Sequence, residues 1–338
     1  MPDDSYAHFE DKIVTKFSIM TGIDPTKPVT DVIPYATAAE QHGFHALWIW
    51  DTWFSTDAFI SLTLAAMNTK KLLLGNGVAA TPVRHPSMLV SAISTLDNLT
   101  DGRAICGIGC GGQATVGRIG KRKARIAEFR KDLETMKTLF EGREIDADGA
   151  LYKVDSVRRA APIYTAAWGP RMLEVSAQLA DGVIIMAPDQ KDVLKVKIER
   201  IRDAAKAVGR DPSEVKIVFG LTCDYADDPQ PIIDRFKSLA VHYIQRTGYE
   251  DEYPAAYREL LDQVREAVPL VAYPEGEVPR WELVPDEFVK YHLTVGTESE
   301  CLEHLRDLMT LEPDEVVFSA GFAAQEQVGK WAALIEKL

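Results

Sequence analysis

Four short stretches bring groups capable of chemistry close together. "GIGCGG" (107–112) offers glycine backbone whose N–H groups a phosphate can approach closely, and Gly169-Pro170 opens a helical segment whose positive N-terminal end also suits an anion. A tight turn with no ligand is the plain alternative for each. Asp51 follows the apolar run "ALWIW", where its carboxylate can orient a ligand or exchange a proton, or else cap the next helix. Its neighbour Thr52 can donate a hydrogen bond but is no base near neutral pH. In "GNGVAATPVRHP" (75–86), Gly75 and Gly77 flank Asn76 and a Thr81-Pro82 step follows, so this strand should bend or bulge as it leaves its sheet. The glycines could also serve only to turn the strand into the helix beginning near His85.

The elements that must position these groups alternate along the chain. Short apolar or β-branched runs occur at 16–20, 46–50, 72–78, 104–109, 161–166, 182–186, 215–221 and 315–321. Between them lie segments of helical spacing, such as "VTDVIPYATAAEQHG" with Gly43 as its stop. Strand then helix, eight times over, is the pattern of a (β/α)8 TIM barrel, whose chemistry sits at the C-terminal ends of its strands. A doubly wound open sheet is the runner-up, but "SIMTGIDPT" after the first strand is no dinucleotide fingerprint. The reading is one barrel domain over 1–338, with 245–293 inserted between strands seven and eight as a lid or dimer contact. Tyr249, Tyr253, Tyr257, Tyr273 and Trp281 in that insertion could wall a substrate pocket or pack the lid down.

Composition narrows the partners. The chain has 338 residues, 46% of them hydrophobic, and a formal charge of −13, which argues against a nucleic-acid surface. No stretch reaches the roughly 18 uninterrupted apolar residues of a membrane span. The first residues carry no apolar leader segment, so the expected compartment is the cytoplasm. Cys106, Cys110, Cys223 and Cys301 are too few and too scattered for a disulfide framework. No second pair or nearby His joins Cys106 and Cys110 into a metal site, so none is expected. From Arg118 to Lys131 seven basic residues stand against one acid, Glu128, either as a solvated helix face or as a track for a long anion.

"GFHALWIWD", "LLLGNGVAATPVRHPSMLVSAISTLDNLTDGRAICGIGCGG", "AAWGPRMLEVSAQLADGVI" and "VGTESECLEHLRDL" together resemble the luciferase-like monooxygenase superfamily, in its branch that uses the deazaflavin coenzyme F420. The resemblance implies a non-prolyl cis peptide joining Gly77 to Val78, pressed against one face of the ring. It implies Asp51 near the ring edge, Cys110, Gly111 and Thr115 beside the phospholactate, and Trp168, Gly169, Arg171 and Met172 around the second anion turn. Sugar-phosphate dehydrogenases of this branch carry a His and a Glu as proton-transfer partners where this chain has Thr52 and Gly112. The site therefore looks more like that of the methylene-tetrahydromethanopterin reductases.

The reading that follows is a cytoplasmic, homodimeric oxidoreductase that moves a hydride between the deazaflavin C5 and a small organic substrate, with Asp51 and Thr52 nearest the chemistry. The alternatives are an FMN-dependent monooxygenase on the same fold and a barrel that binds a flavin-type ligand without turnover. The basic run favours F420, because its phosphodiester and oligoglutamate tail is a longer anion than the single phosphate of FMN.

Overall fold

All eight apolar runs become strands of one closed parallel barrel in the computed structural model, which describes residues 15–244, 255–267, 281–322 and 325–338. Strand β1 (Lys16–Thr21) leads into helix α1 (Val32–Gln41), and β2 (Ala46–Ile49) into α2 (Ala58–Asn68). The third barrel strand is split into β3 (Leu73–Asn76) and β4 (Ala79–Ala80), followed by α3 (Pro86–Thr100). After β5 (Ala104–Gly109) come α4 (Gln113–Val116), α5 (Ile126–Phe140) and a hairpin of β6 (Ile145–Ala147) and β7 (Ala150–Tyr152). Next are β8 (Ile163–Ala167), α6 (Pro170–Leu179), β9 (Gly182–Ile185), α7 (Lys191–Ala207), β10 (Lys216–Tyr225) and α8 (Gln230–Ile244). The chain ends through α9 (Ala255–Ala267), α10 (Asp286–His292), β11 (Thr294–Gly296), α11 (Glu298–Met309), β12 (Glu315–Ser319) and α12 (Gln325–Ile335).

Closure is set by register. β1 pairs in parallel with β12 and β2, and β10 pairs with both β9 and β12, so the sheet has no free edge around the ring. The core is double. One layer lies between strands and helices, and a smaller cluster of Ala46, Trp48, Ile105, Ile184, Val218 and Val317 fills the barrel axis. Trp48 dominates that inner cluster and sits in register with Gly75, where an added Cβ would lie 2.5 Å from the indole Cε3. Gly75 is thus a room-making residue for the indole rather than a bend. Gly43 does end α1, at φ +76°.

Two features escape the strand-then-helix pattern. The β6–β7 hairpin turns on Asp148-Gly149, both at positive φ, a two-residue signal present in "DADGA". β11 is a short strand that lengthens the sheet beside the far end of β10, pairing Cys223 with Thr294. Of the proposed lid, the described part packs back on the barrel's flank: α10 buries Phe288, Val289 and His292 and lies against α8. Tyr249, Tyr253 and Tyr273 lie outside the described residues, as do the side chains of Tyr257 and Trp281. No helix among the described residues is long and apolar enough to cross a membrane.

Candidate active site

The third strand is irregular because it carries one extra residue. Gly75 pairs with Ile105 and Ala79 with Ile108, so β3–β4 advances four positions while β5 advances three. Asn76 repairs the gap with its side chain: Nδ2 donates to the Gly107 carbonyl at 2.6 Å, and Oδ1 accepts from the Gly107 N–H at 3.1 Å. The peptide joining Gly77 and Val78 is cis. Gly107 and Gly109 let the bulge close down, since a Cβ on Gly107 would run into the Asn76 carbonyl and one on Gly109 would lie 3.2 Å from Val78 Cγ2.

Sheet order places the other groups beside this bulge. β3, β5 and β8 are successive neighbours, so the loops leaving their C-terminal ends line one sector of the barrel mouth. In the loop after β5, Gly111 adopts φ +80° and sits against Val116, where a Cβ would lie 2.7 Å from Cγ1. Thr115 Oγ1 donates to the Gly112 carbonyl at 2.9 Å, and the Ala124 N–H closes the loop on the Cys110 carbonyl at 2.8 Å. Cys110 is half-buried against the core. After β8, Gly169 is the N-cap of α6 and Pro170 its first residue, so the helix N-terminus opens at the C-terminal end of this strand. Arg171 is exposed there. Met172 is buried in the strand–helix core, and its N–H donates to the Gly169 carbonyl at 3.0 Å.

The acid after β2 is not solitary. Arg84, from the loop after β4, donates through Nε to Asp51 Oδ2 at 2.7 Å and through Nη2 to Asp51 Oδ1 at 2.8 Å, while Nη2 also reaches Asp57 Oδ2 at 2.9 Å. Helix α2 is capped by Asp57, which accepts from the N–H groups of Phe59 and Ile60, so the helix-cap reading of Asp51 is set aside. The Asp51 side chain is only 9% exposed, and the guanidinium also lies 4.9 Å from the Phe59 ring centroid. Next to it, Thr52 Oγ1 is buried with no hydrogen-bond partner among the described residues. Arg84 and Asp57 were legible only as part of "RHP" and as a cap signal before "AFISL"; nothing in the sequence joined them to Asp51.

Aromatic rings stand beyond the ends of β2 and β12. Trp50 packs on Phe322 at 5.5 Å between centroids, over Gly22, where a Cβ would meet both rings. Trp53, half exposed, donates Nε1 to the Thr115 carbonyl at 2.9 Å and so straps the loop after β2 to the loop after β5. The basic run is not one helix face. Residues 118–125 precede α5, and Arg122 is engaged by Glu128 at 2.7 and 2.6 Å, while Lys121 and Lys123 are exposed.

These features fit a planar cofactor with an anionic tail: a bulged wall, a glycine loop adjoining a helix N-terminus, and a buried hydroxyl. Residues 12–315 match the model of the luciferase-like monooxygenase family, and the chain belongs to that family. It is 35% identical over 199 residues to 5,10-methylenetetrahydromethanopterin reductase of Methanolobus tindarius, a match spanning 57% of this chain and 61% of that one. It is 26% identical over 248 residues to F420-dependent glucose-6-phosphate dehydrogenase of Mycolicibacterium fortuitum, covering 68% and 71%. The solved coenzyme F420 dependent tetrahydromethanopterin reductase of Methanopyrus kandleri superposes with a TM-score of 0.76 at 23% identity, covering 94% of this chain and 98% of that one.

Proposed function

We propose that this protein is an F420-dependent oxidoreductase acting on a small organic substrate. The observation that carries the reading is the adjacency, in one sector of the mouth, of the Asn76–Val78 bulge, the Cys110–Thr115 loop and the Gly169 turn. The deazaflavin supplies or accepts a hydride at its C5 when bound. The chain's own work is to hold and surround it. The bulge around Gly77 and Val78 backs the ring, Gly111 and Thr115 face the phosphodiester, and the N–H groups at Gly169 and Arg171 complete the anion site. The aromatic wall of Trp50 and Phe322 keeps water from the substrate side. Asp51, clamped by Arg84, is a fixed acceptor rather than a free base, and Thr52 Oγ1 is the hydroxyl free to donate to bound ligand.

Position 52 and position 112 bear on the substrate. With Thr and Gly there, neither brings a titrating group to a substrate hydroxyl, which favours a reductase over a sugar dehydrogenase. The relatives named as methylenetetrahydromethanopterin reductases support that direction. The experiment is a substrate screen with reduced deazaflavin carrying deuterium at C5, read by mass spectrometry of the product. Deuterium in the product supports the reading; oxygen consumption with FMN and no deuterium transfer overturns it in favour of a monooxygenase.

A further inference from the structure

Helix α7 turns Val193, Leu194, Ile201, Ala204 and Ala205 into the core, and among them Lys197, which is 1% exposed. A lysine at a core position forfeits hydration that an apolar side chain never had, so its partners must repay the loss. Its Nζ donates to the Trp168 carbonyl oxygen at 3.0 Å. That carbonyl belongs to the same peptide unit as the Gly169 N–H, the group at the N-cap of α6. In a planar trans peptide the C=O and N–H point in opposite directions, so an ammonium holding the carbonyl toward the helix layer turns the N–H toward the mouth. The same ammonium stands beside the peptide that opens α6, where the helix presents its positive end.

We infer that Lys197 is the positioning residue of the α6 anion turn: it aims the Gly169 N–H and supplies a buried charge for the phosphodiester of the cofactor. The inference rests on the reading that this turn holds that anion. It also separates two sources of attraction. Arg171, Lys121 and Lys123 are exposed and act through a screened field, whereas Lys197 acts from inside the protein, where salt reaches poorly.

The test compares coenzyme F420 with the same deazaflavin lacking phospholactate and glutamates, each titrated into the purified full chain by intrinsic tryptophan fluorescence. Wild type should bind F420 the more tightly, and a preference of about tenfold should survive in 1 M potassium chloride. Lys197→Met, close in length and apolar, should lose about tenfold in F420 affinity and leave the truncated ligand unchanged. Lys197→Arg should recover part of the loss. A preference that vanishes in high salt in wild type, or one that Lys197→Met retains, overturns the role of Lys197 while leaving the anion turn standing. Equal affinities for the two ligands in wild type at low salt overturn the reading of the turn itself, and Lys197 with it. The salt arm needs no variant, so it decides the matter even where Lys197→Met fails to fold.

Discussion

Arg84 grips Asp51 with two parallel hydrogen bonds of 2.7 and 2.8 Å, and the pair ties the loop after β2 to the loop after the bulged strand. Such a fork fixes the position of the carboxylate at the mouth. We propose that Asp51 serves by orientation, with Arg84 acting through it.

The first prediction is therefore a coupling. Asp51→Asn should cut turnover by about 10²-fold, the scale of a misplaced reactant, and, by weakening the fork, cost about 1–3 kcal/mol of stability. Arg84→Lys keeps the charge without the fork and should be intermediate in turnover; Arg84→Gln should approach Asp51→Asn. The double variant should be no slower than Asp51→Asn alone, measured as kcat/KM. Additive losses would mean that Arg84 acts on the ligand directly.

A second prediction concerns the bulge. Asn76 is fully buried and its amide satisfies both backbone groups of Gly107, so Asn76→Ala should cost about 2–4 kcal/mol by chemical denaturation. Gly77→Val is expected to disturb packing before it touches any ligand, since a Cβ there lies 2.9 Å from both Met20 Cε and Trp48 Cβ. Unchanged stability in either variant would show the bulge to be softer than this packing implies.

Much of this was readable beforehand, and the exceptions have physical causes. Barrel strands show as apolar runs because both their faces are buried, and the Gly-Asn-Gly stretch announced the bulge. The stretch "LDNLTDGR", although part of the family resemblance, is a staple: Arg103 donates to the carbonyls of Ala66, Thr69 and Leu72 and ties off the end of α2. The Asp51–Arg84 fork joins residues 33 apart, and the Lys197–Trp168 bond residues 29 apart, which no periodicity records. Trp48 illustrates the same limit. Its demand for glycine at position 75 exists only once β2 and β3 are in register.

Charge on the tail side should be graded by engagement. Lys121→Glu with Lys123→Glu should weaken F420 more than the truncated deazaflavin, with the difference shrinking as salt rises, because exposed charges are screened over about 10 Å at 0.1 M. Arg122→Glu should instead mainly loosen the start of α5, where Glu128 also accepts from the Arg125 N–H at 2.8 Å. Equal effects on both ligands from the lysine pair would make the run a solvated surface.

Acid stability gives a prediction independent of any ligand. His292 is fully buried, with Nδ1 2.8 Å from the Phe288 carbonyl, and burial pushes its pKa down to about 4. The unfolded chain takes up a proton near pH 6.5 that the folded chain refuses, so stability should fall as pH drops from about 6.5 toward about 4, by about 1.4 kcal/mol per unit. His292→Leu should flatten that slope in urea titrations at pH 7.5, 6 and 5. Carboxylates act lower: Glu300, held near 2 first by the Thr297 N–H and then by Lys290, gives up its contribution only below about pH 4.5. An unchanged slope in the variant would place the acid sensitivity elsewhere.

The central claim, that the bulge and its two neighbouring turns form a deazaflavin site, is most directly tested by titrating the purified protein with coenzyme F420 and with FMN while following tryptophan fluorescence. Trp50, Trp53 and Trp168 stand at the mouth and should report occupancy. The account predicts saturable binding of F420 at least about tenfold tighter than FMN, the scale of one added charge-assisted contact. FMN binding as tight as F420 or tighter would contradict it.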